Sequence, residues 1–488
     1  MTAAPPSPAK RPIRRDGVLH ADLCVIGAGS AGLSLAAGAV QMGASVVLVE
    51  KHLMGGDCLN TGCVPSKALL AAAHAAAAAR RAAHFGIRAD PVVDFASVAA
   101  HVRRTIAAIA PHDSEERFRG LGVEVIRATG RFVAPDMAEA GGERIRARRF
   151  AIATGSRAAI PPIPGLDATP YLTNETIFGL DLLPAHLLVL GAGPVGVEMA
   201  QAFRALGAEV TVVERGTLLP RDEPEAAAVL RRRLAEDGVA LIEQAEVIGA
   251  ERKGDSTVLA LRRQDTTRHL SGSHLLVAAG RVPNIEGLGL EAAGISTTPR
   301  GITTDPGLRT TNRRVFALGD VAGGPQFTHA AGYHASVALR RLLFGLPATV
   351  DYSALPWVTY TDPEIAQVGL TEAAARAAGH AATAITVPLS GNDRAIAECA
   401  TEGFVKLVLG ARGRILGGTM VAPHAGETIG LIGFAIQKRL GVAALAQMIA
   451  PYPTVAEAVK RAAGAHFAPS LFGARTRFAV RLLQRMLP

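Results

Sequence analysis

DLCVIGAGSAGLSLAAGAVQMGASVVLVEK, residues 22–51, sets the fold of this chain. An apolar strand leads into a Gly-Ala-Gly-Ser-Ala-Gly turn, an Ala-rich helix follows, and a second apolar strand ends at Glu50. In such a unit Gly27 permits the tight turn, Gly29 lets a pyrophosphate approach the backbone, and Gly32 lets the helix pack on the strand. Glu50 stands where a carboxylate can accept hydrogen bonds from ribose hydroxyls. The stretch therefore predicts a dinucleotide-binding βαβ unit.

A second unit with the same layout occupies residues 186–215, HLLVLGAGPVGVEMAQAFRALGAEVTVVER. Its first glycine, Gly191, lies 23 residues before Glu214, the same separation as in the first unit, and Gly193 and Gly196 complete the motif. One such motif also occurs as a plain structural turn, but two with equal spacing favour two nucleotide sites. A chain with two sites is suited to electron transfer between a tightly held flavin and an exchanging nicotinamide.

Two cysteines follow the first unit in GGDCLNTGCVPSK, residues 55–67, which leads into an Ala-rich stretch typical of a helix. Cys58 and Cys63 would be too far apart for a disulfide on a regular helix, and the Asn-Thr-Gly sequence between them supplies a local irregularity. A helix N-terminus lowers the pKa of a nearby thiol, as redox chemistry requires. A redox dithiol is favoured over a structural bridge, and over a zinc site, for which only two of the usual four ligands are local.

Composition excludes several classes of protein. The chain has 488 residues, 49% of them hydrophobic and 19% charged, which argues against disorder, and it has no apolar run long enough to span a membrane. Four cysteines are too few for a disulfide framework and indicate a reducing compartment, so we expect a cytoplasmic protein. Of the net charge of +9, residues 1–20 carry +3 and residues 471–488 carry +4. The remaining body is nearly neutral and only 4% of the chain is aromatic, so we expect no nucleic-acid partner.

The two ends of the chain predict different structures. Residues 1–20 are rich in proline and predict a disordered basic arm. Residues 471–488 predict a basic amphipathic helix with one row of apolar side chains flanked by arginines. Such a helix either docks on the body of the protein or makes weak contact with a membrane surface.

The redox segment and several later motifs resemble the class I pyridine nucleotide-disulfide oxidoreductases, flavoproteins that include dihydrolipoamide dehydrogenase, glutathione reductase and mercuric reductase. The later motifs are ATGS at 153–156, AGRVPN at 279–284, ALGD at 317–320, QFTH at 326–329 and TYTDPE at 359–364. The resemblance implies a homodimer of α/β chains, each with two Rossmann-like dinucleotide-binding domains and an α+β C-terminal dimerisation domain. The implied order is an FAD-binding domain at 21–165, an NAD(P)-binding domain at 166–281, the rest of the FAD-binding domain at 282–348 and the dimerisation domain at 349–470.

The resemblance also assigns cofactor-binding residues from the matched motifs. FAD would be held by Gly27, Gly29, Ser30, Ala31, Gly32, Glu50, Lys51, Lys67, Ala128, Thr154, Gly155, Ser156, Asp320, Gln326, Phe327, Thr328 and His329. NADH or NADPH would bind at Gly191, Gly193, Pro194, Val195, Gly196, Glu198, Glu214, Arg215, Gly280 and Arg281. Glu214 favours NADH, because a carboxylate accepts from the 2′-hydroxyl and repels a 2′-phosphate, whereas Arg215 is compatible with NADPH.

The catalytic residues implied by the resemblance are Cys58, Cys63, Lys67, Glu198, Tyr452 and Glu457. Electrons would pass from NAD(P)H through the flavin to a Cys58-Cys63 disulfide, with Cys63 facing the flavin and Cys58 meeting the substrate. Lys67 would pair with Glu198 near the flavin. No structural metal is expected, and the two cysteines are candidate transient ligands of a substrate metal ion.

The sequence departs from the disulfide-reducing members at one catalytic position. Those members carry His-Pro-Thr with a glutamate five residues after the histidine, whereas Tyr452 replaces that histidine here and Glu457 remains. A phenol with a pKa of about 10 is a poor carrier of thiol protons at neutral pH compared with an imidazole at about 6.5. Because tyrosine at this position resembles mercuric reductase, we expect an NAD(P)H oxidoreductase of that kind, acting on a thiol-bound metal ion or another small electrophile.

Two alternatives remain open. One is a dihydrolipoamide dehydrogenase or other disulfide reductase with an unusual acid-base residue. The other is a membrane-associated electron donor to quinones that docks through residues 471–488. Efficient mercury detoxification is itself disfavoured, because the C-terminal stretch SLFGAR at 470–475 has no vicinal cysteine pair and the N-terminal arm has no Cys-x-x-Cys motif.

Overall fold

The first motif forms the centre of a mostly parallel sheet in the computed structural model, which describes residues 10–487. The strands up to residue 158 are β1 (Ile13–Arg15), β2 (Val18–Ile26), β3 (Val46–Glu50), β4 (Glu124–Arg127), β5 (Gly130–Ala134), β6 (Met137–Ala140), β7 (Glu143–Ile152) and β8 (Ser156–Ala158). The helices are α1 (Ser30–Gln41), α2 (Gly56–Asn60), α3 (Cys63–Arg81), α4 (Phe95–Ile109) and α5 (Glu115–Gly120). In the sheet, β4, β3, β2 and β7 are parallel, and β6 and β5 add an antiparallel edge.

The prediction of a disordered arm is wrong for residues 13–20. There β1 pairs antiparallel with the start of β2, and Arg14 forms an ion pair with Glu143. The two-residue loop is Asp16-Gly17, and both residues have positive φ, 50° and 75°. Asp-Gly is the preferred sequence for a tight hairpin turn of this kind, so the local signal for a hairpin was present and outweighs the basic composition. In the rest of the predicted arm, residues 10–12 have no regular secondary structure, and residues 1–9 lie outside the described residues.

The second motif builds a parallel sheet of its own in the order β11-β10-β9-β15. The elements of this part are β9 (His186–Leu190), α6 (Pro194–Leu206), β10 (Glu209–Val213), α7 (Pro224–Glu236), β11 (Ala240–Ile242), β12 (Glu246–Lys253), β13 (Ser256–Arg263), β14 (Thr266–Gly272), β15 (His274–Val277) and β16 (Arg281–Pro283). Strands β12, β13 and β14 form an antiparallel sheet. Because β16 pairs with β8, the chain enters and leaves this part side by side.

The chain then returns to the first sheet. It passes through β17 (Thr297–Thr298) and β18 (Gly301–Ile302) to β19 (Val315–Ala317) and α8 (Thr328–Phe344). Strand β19 pairs in parallel with β7, and α8 packs on α1 where Gly38 leaves room for the Leu339 side chain. One apolar core therefore lies between this sheet and α1 with α8, and another lies on the opposite face of the sheet.

The C-terminal part is an antiparallel sheet in the order β20-β21-β24-β23-β22, with helices packed against it. Its strands are β20 (Pro356–Thr359), β21 (Glu364–Gly369), β22 (Thr383–Pro388), β23 (Phe404–Leu409) and β24 (Ile415–Ala422). Its helices are α9 (Glu372–Ala377), α10 (Asp393–Ala397), α11 (Ala425–Thr428), α12 (Gly430–Gln437), α13 (Val442–Gln447), α14 (Glu457–Ala465), α15 (Ala468–Leu471) and α16 (Ala474–Gln484). Short 3-10 turns occur at Ala82–Phe85, Ala110–Asp113, Ile177–Gly179, Gly319–Ala322, Leu389–Gly391 and Ala411–Gly413. Within residues 10–487, no helix has both the length and the apolar character needed to cross a bilayer.

A buried lysine joins the C-terminal sheet to the second nucleotide fold. The Lys406 ammonium on β23 lies 3.0 Å from carboxylate oxygens of both Glu223 and Glu225 at the start of α7, and 2.8 Å from Glu372 on α9. Lys406 and Glu223 are almost fully buried. Although burial disfavours the ammonium ion, the hydrogen bonds that it donates to Glu372, Glu225 and Glu223 raise the pKa of Lys406 above its usual value. The ion cluster therefore fixes how these two parts of the chain sit against each other.

Removing this ammonium should weaken the junction strongly. A Lys406→Met substitution leaves the Glu223 carboxylate buried without its counter-charge, so we expect the free energy of unfolding to fall by about 3 kcal/mol. Trp357, the single tryptophan of the chain, donates to Asp222 across the same junction, so its fluorescence during urea unfolding reports the change. Lys438→Ala, at an exposed lysine, is the control and should shift stability by less than about 0.5 kcal/mol. Equal effects of the two substitutions would contradict the proposed role of Lys406.

Candidate active site

Both nucleotide motifs hold their glycine turns with the same pair of hydrogen bonds. Glu50 accepts from the Ala28 and His52 backbone N–H groups, each at 2.7 Å. Glu214 accepts from the equivalent groups of Ala192 and Gly216, also at 2.7 Å. The two acidic residues predicted to receive ribose hydroxyls therefore also fix the backbone of the turns. Because both turns are held by the same pair of hydrogen bonds, the structure strengthens the prediction of two dinucleotide sites.

The glycines leave space for a ligand at the start of α1 and of α6. A Cβ at Gly32 would lie 1.9 Å from the Gly27 carbonyl oxygen, which explains the close packing of helix on strand. A Cβ at Gly29 would meet its nearest atom only at 3.9 Å, and one at Gly193 would meet none within 4 Å. The backbone N–H groups of a helix start are thus open at both turns, as a pyrophosphate requires. The two turns fit FAD and NAD(P), respectively.

The two cysteines lie on either side of a break between two helices. Cys58 is on α2, and Cys63 is the first residue of α3, so the predicted placement at a helix N-terminus is correct. Both are free thiols in the structure, and Cys63 Sγ lies 3.2 Å from the Thr328 hydroxyl oxygen. A hydrogen bond from the Cys58 thiol, one from Thr328 and the charge of Lys67 lower the pKa of Cys63 to about 6. The same hydrogen bond and burial raise the pKa of Cys58, so at neutral pH the pair is one thiolate and one thiol.

Lys67, Glu198 and a third residue form a cluster beside the dithiol. The Lys67 ammonium lies 2.8 Å from Glu198 Oε2, so the pairing predicted from the sequence is confirmed by the contact. The other carboxylate oxygen of Glu198 accepts from the Tyr360 backbone N–H at 2.9 Å. The Tyr360 ring covers the ammonium, with the ring centroid 4.1 Å from Lys67 Nζ. Burial, and then nearby negative charges including Cys63, raise the pKa of the Tyr360 phenol, which keeps it protonated.

A polar network ties the redox segment to both domain crossings. Arg281 on β16 donates to Asp57 at 2.9 Å and to the Ser156 hydroxyl on β8 at 2.8 Å. The Ser156 hydroxyl in turn donates to Asp320, and burial raises the pKa of that carboxyl. The network brings together Ser156, Asp320 and Arg281, which were predicted for three separate motifs. Asp57, next to Cys58, holds the redox segment against them.

The other residues predicted to bind the cofactors lie in or next to the turns of their motifs. Thr154 and Asn284 exchange hydrogen bonds, Thr154 Oγ1 to the Asn284 carbonyl at 2.7 Å and the Asn284 amide to the Thr154 carbonyl at 3.0 Å. Phe327 and His329 stack at the start of α8, with ring centroids 5.2 Å apart. The remaining predicted residues lie in turns or at strand and helix ends: Ser30, Ala31, Lys51, Ala128, Gly155, Gln326, Pro194, Val195 and Gly280. Arg215 is largely exposed, 3.9 Å from Glu246.

Tyr452 and Glu457 are not part of this cluster within one described chain. Both belong to the C-terminal part, where Glu457 begins α14. The Tyr452 hydroxyl donates to Asp393 at 2.9 Å, and the phenol is largely exposed. The hydrogen bond to Asp393, and then its charge, raise the pKa of Tyr452 above its usual value.

Sequence reasoning missed two residues of the site. Asp57 stands directly before Cys58, and its position between two glycines and a redox cysteine was the only signal for a role. Tyr360 belongs to the TYTDPE motif, which predicts the C-terminal domain but no role for the tyrosine itself. An aromatic residue in a loop far along the chain cannot be placed over Lys67 without knowing how the domains pack.

Comparison with known proteins gives one family over most of the chain. Residues 21–335 match the family described as pyridine nucleotide-disulphide oxidoreductase, and residues 355–463 match its dimerisation domain. The chain is 39% identical to a mercuric reductase of Streptomyces lividans, covering 91% of this chain and 95% of that protein. It is 34% identical to a dihydrolipoyl dehydrogenase of Geobacillus stearothermophilus, covering 92% and 96%. Among solved structures, the Cu(II) complex of the HOCl-induced flavoprotein disulfide reductase RclA from Escherichia coli matches with a TM-score of 0.81 at 27% identity, covering 90% and 98%.

The acidity of Cys63 can be measured directly. A Cys58→Ser protein keeps a hydroxyl donor beside Cys63, and its thiolate absorbance in the ultraviolet should rise with a midpoint near pH 6, because the thiolate form exists above the lowered pKa. Replacing Thr328 by valine removes a donor to the thiolate, so the midpoint should move to higher pH, whereas Thr328→Ser should leave it in place. A Cys58→Ser, Cys63→Ser protein supplies the baseline. A midpoint at about 8.5, the usual cysteine value, would contradict the assignment.

Tyr360 should act on Cys63 through Lys67. Tyr360→Leu removes the aromatic face over the ammonium, an interaction worth about 1 kcal/mol, so Lys67 is held less firmly and the pKa of Cys63 should rise. Tyr360→Phe keeps the ring and should titrate like the parent. The same ultraviolet titration in the Cys58→Ser background measures both variants. If the leucine and phenylalanine variants titrate alike, the ring does not position Lys67.

Proposed function

Because the chain belongs to the pyridine nucleotide-disulphide oxidoreductases, flavoenzymes that use FAD and NAD(P)H, we propose that it reduces a thiol-bound soft metal ion in the manner of a mercuric reductase. One NAD(P)H supplies two electrons as a hydride. These reduce one Hg(II) to Hg(0), or two Cu(II) to two Cu(I), and NAD(P)⁺ and a proton are released. Thiolates freed from the metal take up protons from solvent.

The dithiol is suited to hold such an ion. Bound FAD would relay electron pairs between the nicotinamide and the cysteines. Cys63 is a thiolate at neutral pH without help from a base, and Cys58 beside it is the second sulfur ligand once its proton is displaced. Soft thiolates bind Hg(II) and copper ions in preference to hard cations. Lys67 supplies a positive charge near the thiolate, and the Tyr360 ring packs over its ammonium group.

The state of Tyr452 is the observation that carries the choice of acceptor. Disulfide reduction needs a group that takes up and returns thiol protons near neutral pH. The Tyr452 phenol donates to Asp393, and this bond raises its pKa further above that range. It therefore stays protonated during turnover, which suits an acceptor that leaves as a reduced metal and needs no protonated leaving group.

We propose that Tyr452 and Glu457 act across the homodimer. The family match over residues 355–463 is a dimerisation domain, and both residues lie within it. From there each chain would present its Tyr452 to the dithiol of its partner, where a phenol oxygen is an additional ligand for a metal ion. The Cu(II) complex of RclA supports copper as one acceptor to test.

The coenzyme is proposed to be NADH. Glu214 lies at the end of the second strand of the second motif and its carboxylate is already bound by backbone N–H groups, so it is fixed where a 2′-phosphate would be repelled. Arg215, next to it, is exposed and lies 3.9 Å from the Glu246 carboxylate. That negative charge weakens the attraction of Arg215 for a 2′-phosphate.

A second candidate function is the oxidation of dihydrolipoamide. It is supported by the similarity to dihydrolipoyl dehydrogenase over 92% of the chain and by Glu457, which remains in the position of the acid-base glutamate. Tyr452 opposes it, because a phenol stands where the disulfide-reducing members have the imidazole that carries the proton.

An acceptor screen tests the two functions against each other. The purified flavoprotein, supplied with NADH and separately NADPH, should reduce thiol-complexed Hg(II) or Cu(II) faster than lipoamide, glutathione disulfide or a soluble quinone, measured as acceptor-dependent loss of nicotinamide absorbance. Cys63→Ser should abolish metal reduction. Efficient turnover with lipoamide in the parent protein would favour dihydrolipoyl dehydrogenase instead.

Replacing Tyr452 by histidine should change the acceptor preference. An imidazole restores a proton carrier with a pKa of about 6.5, so kcat with lipoamide should rise by roughly 10²-fold, the usual size of acid-base catalysis. Metal reduction should not rise in parallel. Tyr452→Phe is the matched control, since it removes the hydroxyl without adding a base and should leave lipoamide turnover low. An unchanged rate with lipoamide in the histidine variant would show that Tyr452 does not set the acceptor.

A further inference from the structure

The last helix of the chain does not dock on the body of the protein. Within residues 10–487, α16 has no buried residue, and Phe478 and Met486 are 70% and 75% exposed. The other large apolar side chains of this segment are also exposed: Val480, Leu482, Leu483 and Leu487. The sequence left two possibilities open for this helix, docking on the body of the protein or contact with a membrane surface. Within one chain, the helix does not dock on the body. An apolar face of this size on a soluble domain marks a binding surface.

The apolar and basic side chains of α16 form separate ridges that lie side by side along the helix. At 3.6 residues per turn, Arg477, Arg481 and Arg485 form one ridge along the helix. Phe478, Leu482 and Met486 form the neighbouring ridge, and Leu483 and Leu487 extend it away from the arginines. Backbone hydrogen bonds from Arg485, Met486 and Leu487 continue the turn past the end of α16, so the ridges persist to the described end of the chain.

The charge of this segment is uncompensated. The last acidic residue before the C-terminus is Glu457, whereas residues 471–488 hold four arginines. In the described part of the chain none of these four takes part in an ion pair. At the other end of the chain, by contrast, Lys10 and Arg14 are paired with Asp22 and Glu143. The basic charge at the C-terminus is therefore available to an external anionic partner.

We propose that α16 docks the enzyme on an anionic lipid surface, with its apolar ridge in the headgroup boundary and its arginines on the lipid phosphates. A helix with separate apolar and basic ridges lies in the plane of a membrane interface without crossing it. Charge complementarity favours lipid over a second subunit, since burying three arginines in a protein interface without acids would be costly. The dimerisation-domain match also ends at residue 463, before α16 begins. The extended apolar face argues against nucleic acid. The proposal does not depend on which acceptor the enzyme reduces.

Vesicle flotation of the full-length flavoprotein tests the proposal. It should float with phosphatidylcholine vesicles that also contain phosphatidylglycerol, and not with phosphatidylcholine alone. Binding should weaken as salt is raised, because screening acts on exposed charges. Replacing Arg477, Arg481 and Arg485 by glutamine should weaken binding by about fivefold per arginine. Leu482→Ser with Leu483→Ser should weaken it at low and high salt alike, since these residues supply apolar burial.

Matched controls separate the helix from overall charge and from dimer formation. Arg88, Arg268 and Arg412 are exposed arginines elsewhere, and replacing all three by glutamine makes the same charge change without affecting the helix, so binding should persist. A chain truncated after Ser470 should lose flotation, remain a dimer by light scattering and reduce acceptors with NAD(P)H at the rate of the full-length protein. Failure to float with anionic vesicles, equal loss in the control triple variant, or dissociation of the truncated dimer would overturn the proposal.

Discussion

The buried carboxylate of Glu198 is the point on which the arrangement of the molecule depends. A carboxylate almost removed from water must be paired and hydrogen-bonded, and Glu198 finds both partners in other parts of the chain. The ammonium of Lys67 comes from the helix of the redox cysteine, and the N–H of Tyr360 comes from the C-terminal domain. One turn further along α6, Gln201 exchanges hydrogen bonds with the backbone of Asp362. The need to satisfy one buried acid thus brings three domains to the same place.

This arrangement also explains why the dithiol has one charge. Lys67 acts on more than its ion pair with Glu198, because its charge also reaches Cys63. Hydrogen bonds from Cys58 and Thr328, the charge of Lys67 and the helix start at Cys63 together stabilise a thiolate on Cys63. Cys58 then holds its proton because it donates a hydrogen bond to that thiolate, because it is partly buried, and because a second negative charge so close would be repelled. The difference in protonation between Cys58 and Cys63 therefore depends on how the domains pack as well as on the local sequence.

Much of this could be predicted from the sequence, and what could not has a common physical cause. The two glycine motifs, the strands around them, the Lys67–Glu198 pair and the break between the cysteines follow from local spacing and from the family's motifs. The hairpin at residues 13–20 was not predicted, although Asp16-Gly17 is a typical hairpin-turn sequence. The prediction for this segment rested instead on its basic, proline-rich composition. Tyr360, Asp57 and the Lys406 cluster depend on contacts between segments more than 100 residues apart in the chain. The spacing of residues along the sequence does not show which distant segments pack together. The roles of these residues are therefore clear only from the folded structure.

The protonation states around the dithiol bear on the kind of acceptor more than any single residue does. Cys63 is charged at neutral pH, while Cys58, Tyr360 and Tyr452 each have a raised pKa and keep their protons. A disulfide acceptor needs a proton for each departing sulfur, and a phenol with a raised pKa is a weak acid for that step near neutral pH. A soft metal ion needs two sulfur ligands and electrons, and the proton it displaces from Cys58 can leave to solvent. A charged Cys63 sulfur beside a protonated Cys58 therefore supports the proposal that the acceptor is a soft metal ion bound by two sulfur ligands.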